Sequence, residues 1–372
     1  MTDTHWDRVP IDAQSVAAPL SRFAVFLVVS IGPGDAALAQ TRDVISGIDD
    51  LVKTVGFRDL NGRLSCVVGI GSSAWDRLSP GARPVELHPF PVIRGGVHTA
   101  PSTPGDLLFH IRAERADLCF ELERLTLDAL GDAVTVVDEV NGFRYFDARD
   151  LLGFVDGTAN PTGADLPGSA LIGANDPGFT GCSYVVVQKY LHDLTSWNAL
   201  SVDDQEAIIG RSKVENIERD SATEVRKSHK TLSTITDEAG TEYDILRDNM
   251  PFGSPGSREF GTYFIGYTGR LWVLEEMLRR MFVGDPEGSY DRMLDFSTAA
   301  SGTTFFVPTN EILGALGVAG DGSQAPTPPD TATPPDRATP QDTATPPDTS
   351  DAARDSSLGI GSLRPRPLEG RQ

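Results

Sequence analysis

Cysteine, basic residues and long apolar runs are all scarce in this 372-residue chain, and each scarcity excludes something. Cys66, Cys119 and Cys182 are the three cysteines, and none stands at a paired spacing. They make neither a disulfide framework nor a zinc site, which suits a reducing compartment. Lys and Arg number 32 against 53 Asp and Glu, for a net charge of -21. Such a surface repels phosphates, so no nucleic-acid partner is expected. The most apolar run, "FAVFLVV" from Phe23, is far below the roughly 20 residues that a bilayer span needs. The opening "MTDTHWDRVPIDAQ" carries acids and no apolar h-region, so it does not read as a secretory signal. The expected setting is the cytoplasm, with no membrane partner.

What the chain does have is two successive runs of strand and helix patterns. "RFAVFLVVSIG", "RLSCVVGIG", "GDLLFHIRAE" and "AVTVVDEVNGFRYF" are β-rich. "GDAALAQTRDVISGIDDLVKTVG" and "ADLCFELERLTLDAL" carry helical apolar spacing. Their order, β-α-β-β-α-β, is the ferredoxin-like pattern with antiparallel pairing. A similar order returns after residue 182. "CSYVVVQKYLHDL" reads as a strand, and "SVDDQEAIIGR" as a helix opened by Ser201. "KTLSTITDEAGTEYDILRD" reads as two strands about a turn, "GTYFIGYTG" and "GTTFFVP" as strands, and "RLWVLEEMLRRMF" as a helix. The fold class expected is therefore α+β, with two ferredoxin-like domains. Residues 1–20 read as an arm, 21–148 and 183–316 as the two domains, and 149–182 as a connecting segment.

The composition changes near Gly320. From Thr327 the hexads "TPPDTA", "TPPDRA", "TPQDTA" and "TPPDTS" follow one another without a large apolar residue. Such a segment cannot bury enough surface to fold, so 317–356 is expected to be a disordered linker. Beyond it, residues 357–372 regain apolar character at Leu358, Ile360 and Leu363.

Two places could carry chemistry. "GFVDGTANPTG", residues 153–163, sets one carboxylate, Asp156, among glycines and a proline, too densely punctuated for a helix or central strand. A plain surface Asp-Gly turn is the alternative. The second place is "KSHKTLSTITDEAGTEYDILRDN", where a hairpin would bring His229 and Arg247 together at its open end. Of the other histidines, His5, His88, His98, His110 and His192, the last two sit in strand patterns and read as structural.

"GFVDGTANP", then "KSHKT" and "ILRDNMPFG", with "IIGRSK", "GTYFIGY" and "DRMLDFSTAASGTTFFVP", resembles the dye-decolorizing peroxidases. The resemblance covers roughly residues 23–316. It implies a pair of ferredoxin-like domains whose antiparallel sheets flank one haem b per chain, in a barrel-like arrangement. It further implies a homo-oligomer that reduces hydrogen peroxide and oxidises small organic donors such as dyes and phenolics by one-electron steps. Carried over by position, His229 is the axial ligand to the haem iron, Asp156 the carboxylate on the opposite face and Arg247 its arginine. Asn249 orders water there, Gly157 lets the backbone approach the porphyrin, and Arg211 pairs with a propionate. Asp291 is the acid behind His229, with Asp295 as the alternative. A haem-binding or haem-iron-handling protein on the same fold is the rival reading.

The terminal "SSLGIGSLRPRP" resembles the C-terminal peptides that load cargo into encapsulin nanocompartments. The resemblance implies an encapsulin shell protein as partner, gripping Leu358, Ile360 and Leu363. It also implies residence inside such a compartment in the cytoplasm.

Overall fold

A computed structural model describes residues 13–219 and 226–318. The chain divides into two compact units, Met1–Ser323 and Gln324–Gln372, and every described residue belongs to the first. His5, the hexad repeats and Leu358, Ile360 and Leu363 lie outside the described residues.

The first half supplies β1 (Phe23–Ile31), β2 (Ser65–Gly71), β3 (Leu107–Ala113) and β4 (Val134–Phe143). They pair antiparallel in the order β2-β3-β1-β4. The second half supplies β5 (Ser183–His192), β6 (Leu246–Arg247), β7 (Met250–Ser254) and β8 (Glu259–Thr268). It is completed by β9 (Ser297–Ala299) and β10 (Thr303–Val307). Its order repeats the first: β6 and β7 pair with β8, β8 with β5, and β5 with β10, while β9 adds to β5. This is the ferredoxin-like order twice.

The halves are not separate sheets. β10 pairs with β2 at Phe305↔Gly71 and Phe306↔Ile70, so all ten strands form one sheet. Gln14 reinforces that join: its amide donates to the carbonyls of Val68 and Pro308 and accepts from Val68 N. At the far end Gly142 of β4 lies against β7, where a Cβ would stand 2.5 Å from that of Met250. The sheet therefore curls toward a barrel.

Alternate residues of a strand face opposite sides, and in the central strands β1, β2 and β3 both sides are buried. Ala24, Phe26, Val28, Val67, Leu108, Ile265, Tyr267 and Phe305 fill the barrel interior. Val25, Leu27, Val29, Val68, Phe109 and Ile111 face the helices on the outside. That explains why β1 reads as an unbroken apolar run. Helices α1 (Asp35–Ser46), α2 (Ile48–Gly56) and α3 (Ala116–Leu130) cover the first half. The single helix expected over 34–56 is two, parted at Gly47.

The second half carries α4 (Val202–Ile209), α5 (His229–Ser233), α6 (Leu271–Phe282) and α7 (Asn310–Val318). Here the expected hairpin needs correcting. Its strands shrink to Ile235–Thr236 and Glu242–Tyr243, and His229 opens a helix instead. Ser228 is the reason, since its hydroxyl accepts from Thr231 N at 3.3 Å and caps a helical turn. The turn itself stands: the Asp237 carboxylate accepts from Ala239 N and Thr241 N.

Candidate active site

A cavity with ≈ 1350 Å³ of empty space, mouth included, opens on the outer face of the second half. Its floor is β5 and β8, through Tyr190, His192, Thr262 and Phe264. Its roof is α5 and α6, through His229, Met277, Leu278 and Met281, and the 150–159 loop closes one side. Apolar lining with a few convergent charges is the usual make-up of a cofactor cleft.

α5 delivers His229. Its Nδ1 stands 2.6 Å from Asp291 Oδ2, and Asp291 is fully buried. Asp291 is itself held, because its other oxygen accepts from Met293 N at 2.9 Å. Burial alone pulls the imidazole pKa down, but the charge and hydrogen bond of Asp291 outweigh it, and the pKa is raised. With Nδ1–H donated to a carboxylate, the remaining lone pair lies on Nε2 of a ring that lines the cavity. Asp295 is committed elsewhere, to His98 Nε2 and the Tyr290 hydroxyl.

The "GFVDG" loop and β6 form another part of the wall. Gly153 and Gly157 take φ 94° and 72°, where glycine is favoured. A Cβ at Gly153 would stand 2.6 Å from Lys213 Cε, so this glycine has a packing reason of its own. The Asp156 carboxylate accepts from Asn249 Nδ2 at 3.0 Å and from Gly157 N at 2.7 Å. Asn249 is fixed in turn by Ile265 N, which donates to its Oδ1. Arg247 is half-buried, and its Nε is buried with no partner. Burial pulls its pKa down, Asp156 and Asp244 oppose that, and Arg211 adds to the lowering.

One positioning residue escaped the sequence reading. Asn160 accepts from Arg247 N at 3.0 Å and donates to Arg247 O at 2.6 Å, pinning the loop to β6. It stands inside the quoted motif, four residues after Asp156, and a doubly bonding amide beside a turn was the available signal. Asp156, Gly157, Arg247 and Asn249 also border a second cavity of ≈ 430 Å³ with Leu20, Tyr145 and Arg149. Arg211 lines the main cavity, where Asn216 O and Glu218 hold its guanidinium. His192 lines it too, but both ring nitrogens are spoken for, by Ser297 Oγ at 2.8 Å and Thr262 Oγ1 at 2.9 Å. Burial lowers its pKa to about 4, so it stays neutral and structural.

A flat, largely apolar group with peripheral acids fits this space. It would meet a carboxylate-backed imidazole nitrogen, a guanidinium short of a partner, and methionine and leucine walls. Those are the demands of an iron porphyrin used on peroxide, which puts the chain in the class of haem peroxidases built on paired ferredoxin-like halves.

The comparisons are specific. The model for the Dyp-type peroxidase N-terminal region matches residues 13–144, and that for the C-terminal region matches residues 147–312. The chain belongs to the Dyp-type peroxidase family. It is 55% identical over 303 residues to a dye-decolorizing peroxidase of Mycobacterium tuberculosis, covering 82% of this chain and 90% of that one. An arginine-to-leucine variant of Rhodococcus jostii RHA1 DypB, solved in complex with heme, is 60% identical with a TM-score of 0.80. That match covers 82% of this chain and 98% of the other. The encapsulated DyP-type peroxidase of Mycobacterium smegmatis is 54% identical with a TM-score of 0.79, covering 81% and 97% of the two chains. The protein is a haem-dependent peroxidase.

Proposed function

We propose that His229 would hold the haem iron through Nε2 and that Asp156, Arg247 and Asn249 carry the peroxide chemistry. The carrying observation is the shared cavity: His229 with its Asp291 partner lines the same space as the hydrogen-bonded Asp156–Asn249 pair and Arg247. Haem, when bound, supplies the iron and the electrons that reduce peroxide.

The chain supplies everything around that event. Asp291 fixes the imidazole tautomer and strengthens His229 as a donor. Asp156 takes the proton from one peroxide oxygen and hands it to the other, which leaves as water when the O–O bond breaks. Asn249, anchored on Ile265 N, holds the Asp156 carboxylate in place for both transfers. Arg247 is fixed at its backbone by Asn160 and steadies the negative charge that grows on the departing oxygen. Arg211 holds a propionate, exchanging Glu218 for the new acid. Small organic donors then return electrons one at a time.

We further propose that residues 357–372 load the enzyme into an encapsulin shell, with Leu358, Ile360 and Leu363 as anchors. The support is the spacing of Leu358 and Ile360, two residues apart, which an extended peptide presents to adjacent pockets, with Leu363 a further apolar residue beyond them. A relative is encapsulated. Two measurements test the whole. Stopped-flow absorption with peroxide should show Asp156→Ala and Arg247→Ala slowed while haem content is unchanged; wild-type rates in both would remove them from the mechanism. Co-expression with a shell protein should load the full chain and not a chain lacking residues 357–372; equal loading would end the targeting role.

A further inference from the structure

The barrel interior, behind the sheet from the cavity, holds a second polar cluster that the peroxide chemistry does not use. Tyr267 on β8 points inward, fully buried, and its hydroxyl lies 2.8 Å from His110 Nδ1 on β3. Arg112 Nη1 donates to Asp248 Oδ2 at 2.9 Å, and His110 Nε2 stands 3.8 Å from the same oxygen. Asp248 sits between Arg247 and Asn249, so the cluster adjoins the peroxide wall in sequence. Two buried atoms of the cluster, His110 Nε2 and Asp248 Oδ1, have no hydrogen-bond partner. Unpaired buried polar atoms are costly, and a redox or catalytic role is one established reason for keeping them.

From this geometry we infer that Tyr267 is a proton-coupled redox residue, with His110 as its proton acceptor. Asp248 favours the tautomer with hydrogen on Nε2, which leaves the Nδ1 lone pair to the phenol. On oxidation the Tyr267 O–H bond breaks, the proton forms an N–H bond at His110 Nδ1, and one electron leaves the ring. The electron goes to the haem site, where peroxide has been reduced. The ring keeps its Nε2–H on the Asp248 side, and the Asp248 charge offsets the one the imidazolium has gained. A donor electron reverses the step. Among the described residues no other tyrosine hydroxyl meets an imidazole; Tyr184 accepts from Glu86 N and Tyr190 donates to Gln188. It rests on the peroxidase activity, since peroxide supplies the oxidant.

The test is freeze-quench electron paramagnetic resonance on holoenzyme mixed with peroxide and no donor, with the visible spectrum taken on the same samples. A tyrosyl signal is expected in the wild type and in Tyr263→Phe, and its loss is expected in Tyr267→Phe and His110→Gln. The haem bands should respond to peroxide in all four. No tyrosyl signal in the wild type, or an unchanged one in Tyr267→Phe, overturns the inference; haem bands that ignore peroxide in the wild type would instead indict the peroxidase reading. Nitrogen NMR of the haem-free protein gives an independent check, requiring His110 Nδ1 unprotonated and Nε2 protonated. The opposite tautomer overturns it even where the variants fail to fold.

Discussion

The two halves share one strand order and spend their outer faces differently. In the first half α3 lies directly on the sheet, and Leu118, Cys119 and Leu122 pack against the outward side chains of β1 and β3. Burial there is complete enough to push the Cys119 thiol up to about 12. In the second half the connection after β5 does not return to the sheet at once. It runs through α4 to α5, and β5 and β8 turn Tyr190, His192, Thr262 and Phe264 toward the ≈ 1350 Å³ cavity. The proposed cofactor site is thus a helix layer left unfilled. One strand order used twice gives a half whose layer is closed and a half whose layer stays open.

That contrast predicts where substitutions act. The largest effect belongs to His229→Ala, which should purify folded but without haem, read as loss of Soret absorbance per chain. Next, Arg247→Ala should keep its haem and react with peroxide about 10²–10³-fold more slowly, the usual loss for a charge-stabilising donor. A first-half change should do the reverse. Leu122 is fully buried, and Leu122→Ala should cost about 2–5 kcal/mol in urea unfolding with the peroxide rate constant unchanged in the folded fraction.

The smallest effect is a pH slope confined to the first half. Burial, with help from Glu139, raises Glu123 from 4.5 to about 7. A carboxyl whose folded pKa is raised favours the native state while protonated, so its contribution is lost as pH climbs from 4.5 towards 7. Glu123→Gln should flatten that decline, by at most about 3 kcal/mol, in denaturant titrations on either side of the window. A slope that survives in Glu123→Gln would assign it to another group.

Much of this was readable from the chain. The ferredoxin-like order was plain because long strands and amphipathic helices differ in period, and the Asp156 motif because glycines and a proline crowd one acid. The α5 turn was not, since "KSHKT" is polar and its helix depends on one Ser228 cap and on packing beneath it. Nor was the single ten-stranded sheet, which hangs on two residue pairs between β2 and β10. The His110–Tyr267–Asp248 cluster joins residues from distant strands, and no local pattern announces such a meeting. The resemblance already put Asp291 ahead of Asp295, but what separates the two acids, four residues apart, is geometry: Asp291 meets His229 and Asp295 meets His98.

The β2–β10 seam also sets a timetable. Phe305 and Phe306 must reach Gly71 and Ile70 before the edge of the first half is covered. A ribosome therefore exposes that edge until almost the whole described body has been made. Pairings this far apart close slowly, because the intervening chain must be gathered first. The first half waits during synthesis with an unpaired strand, a state prone to wrong partners. Cavity walls that include Asp156, His229 and Met293 are complete only shortly before that final strand emerges. On the proposed site, haem capture would therefore come late in synthesis.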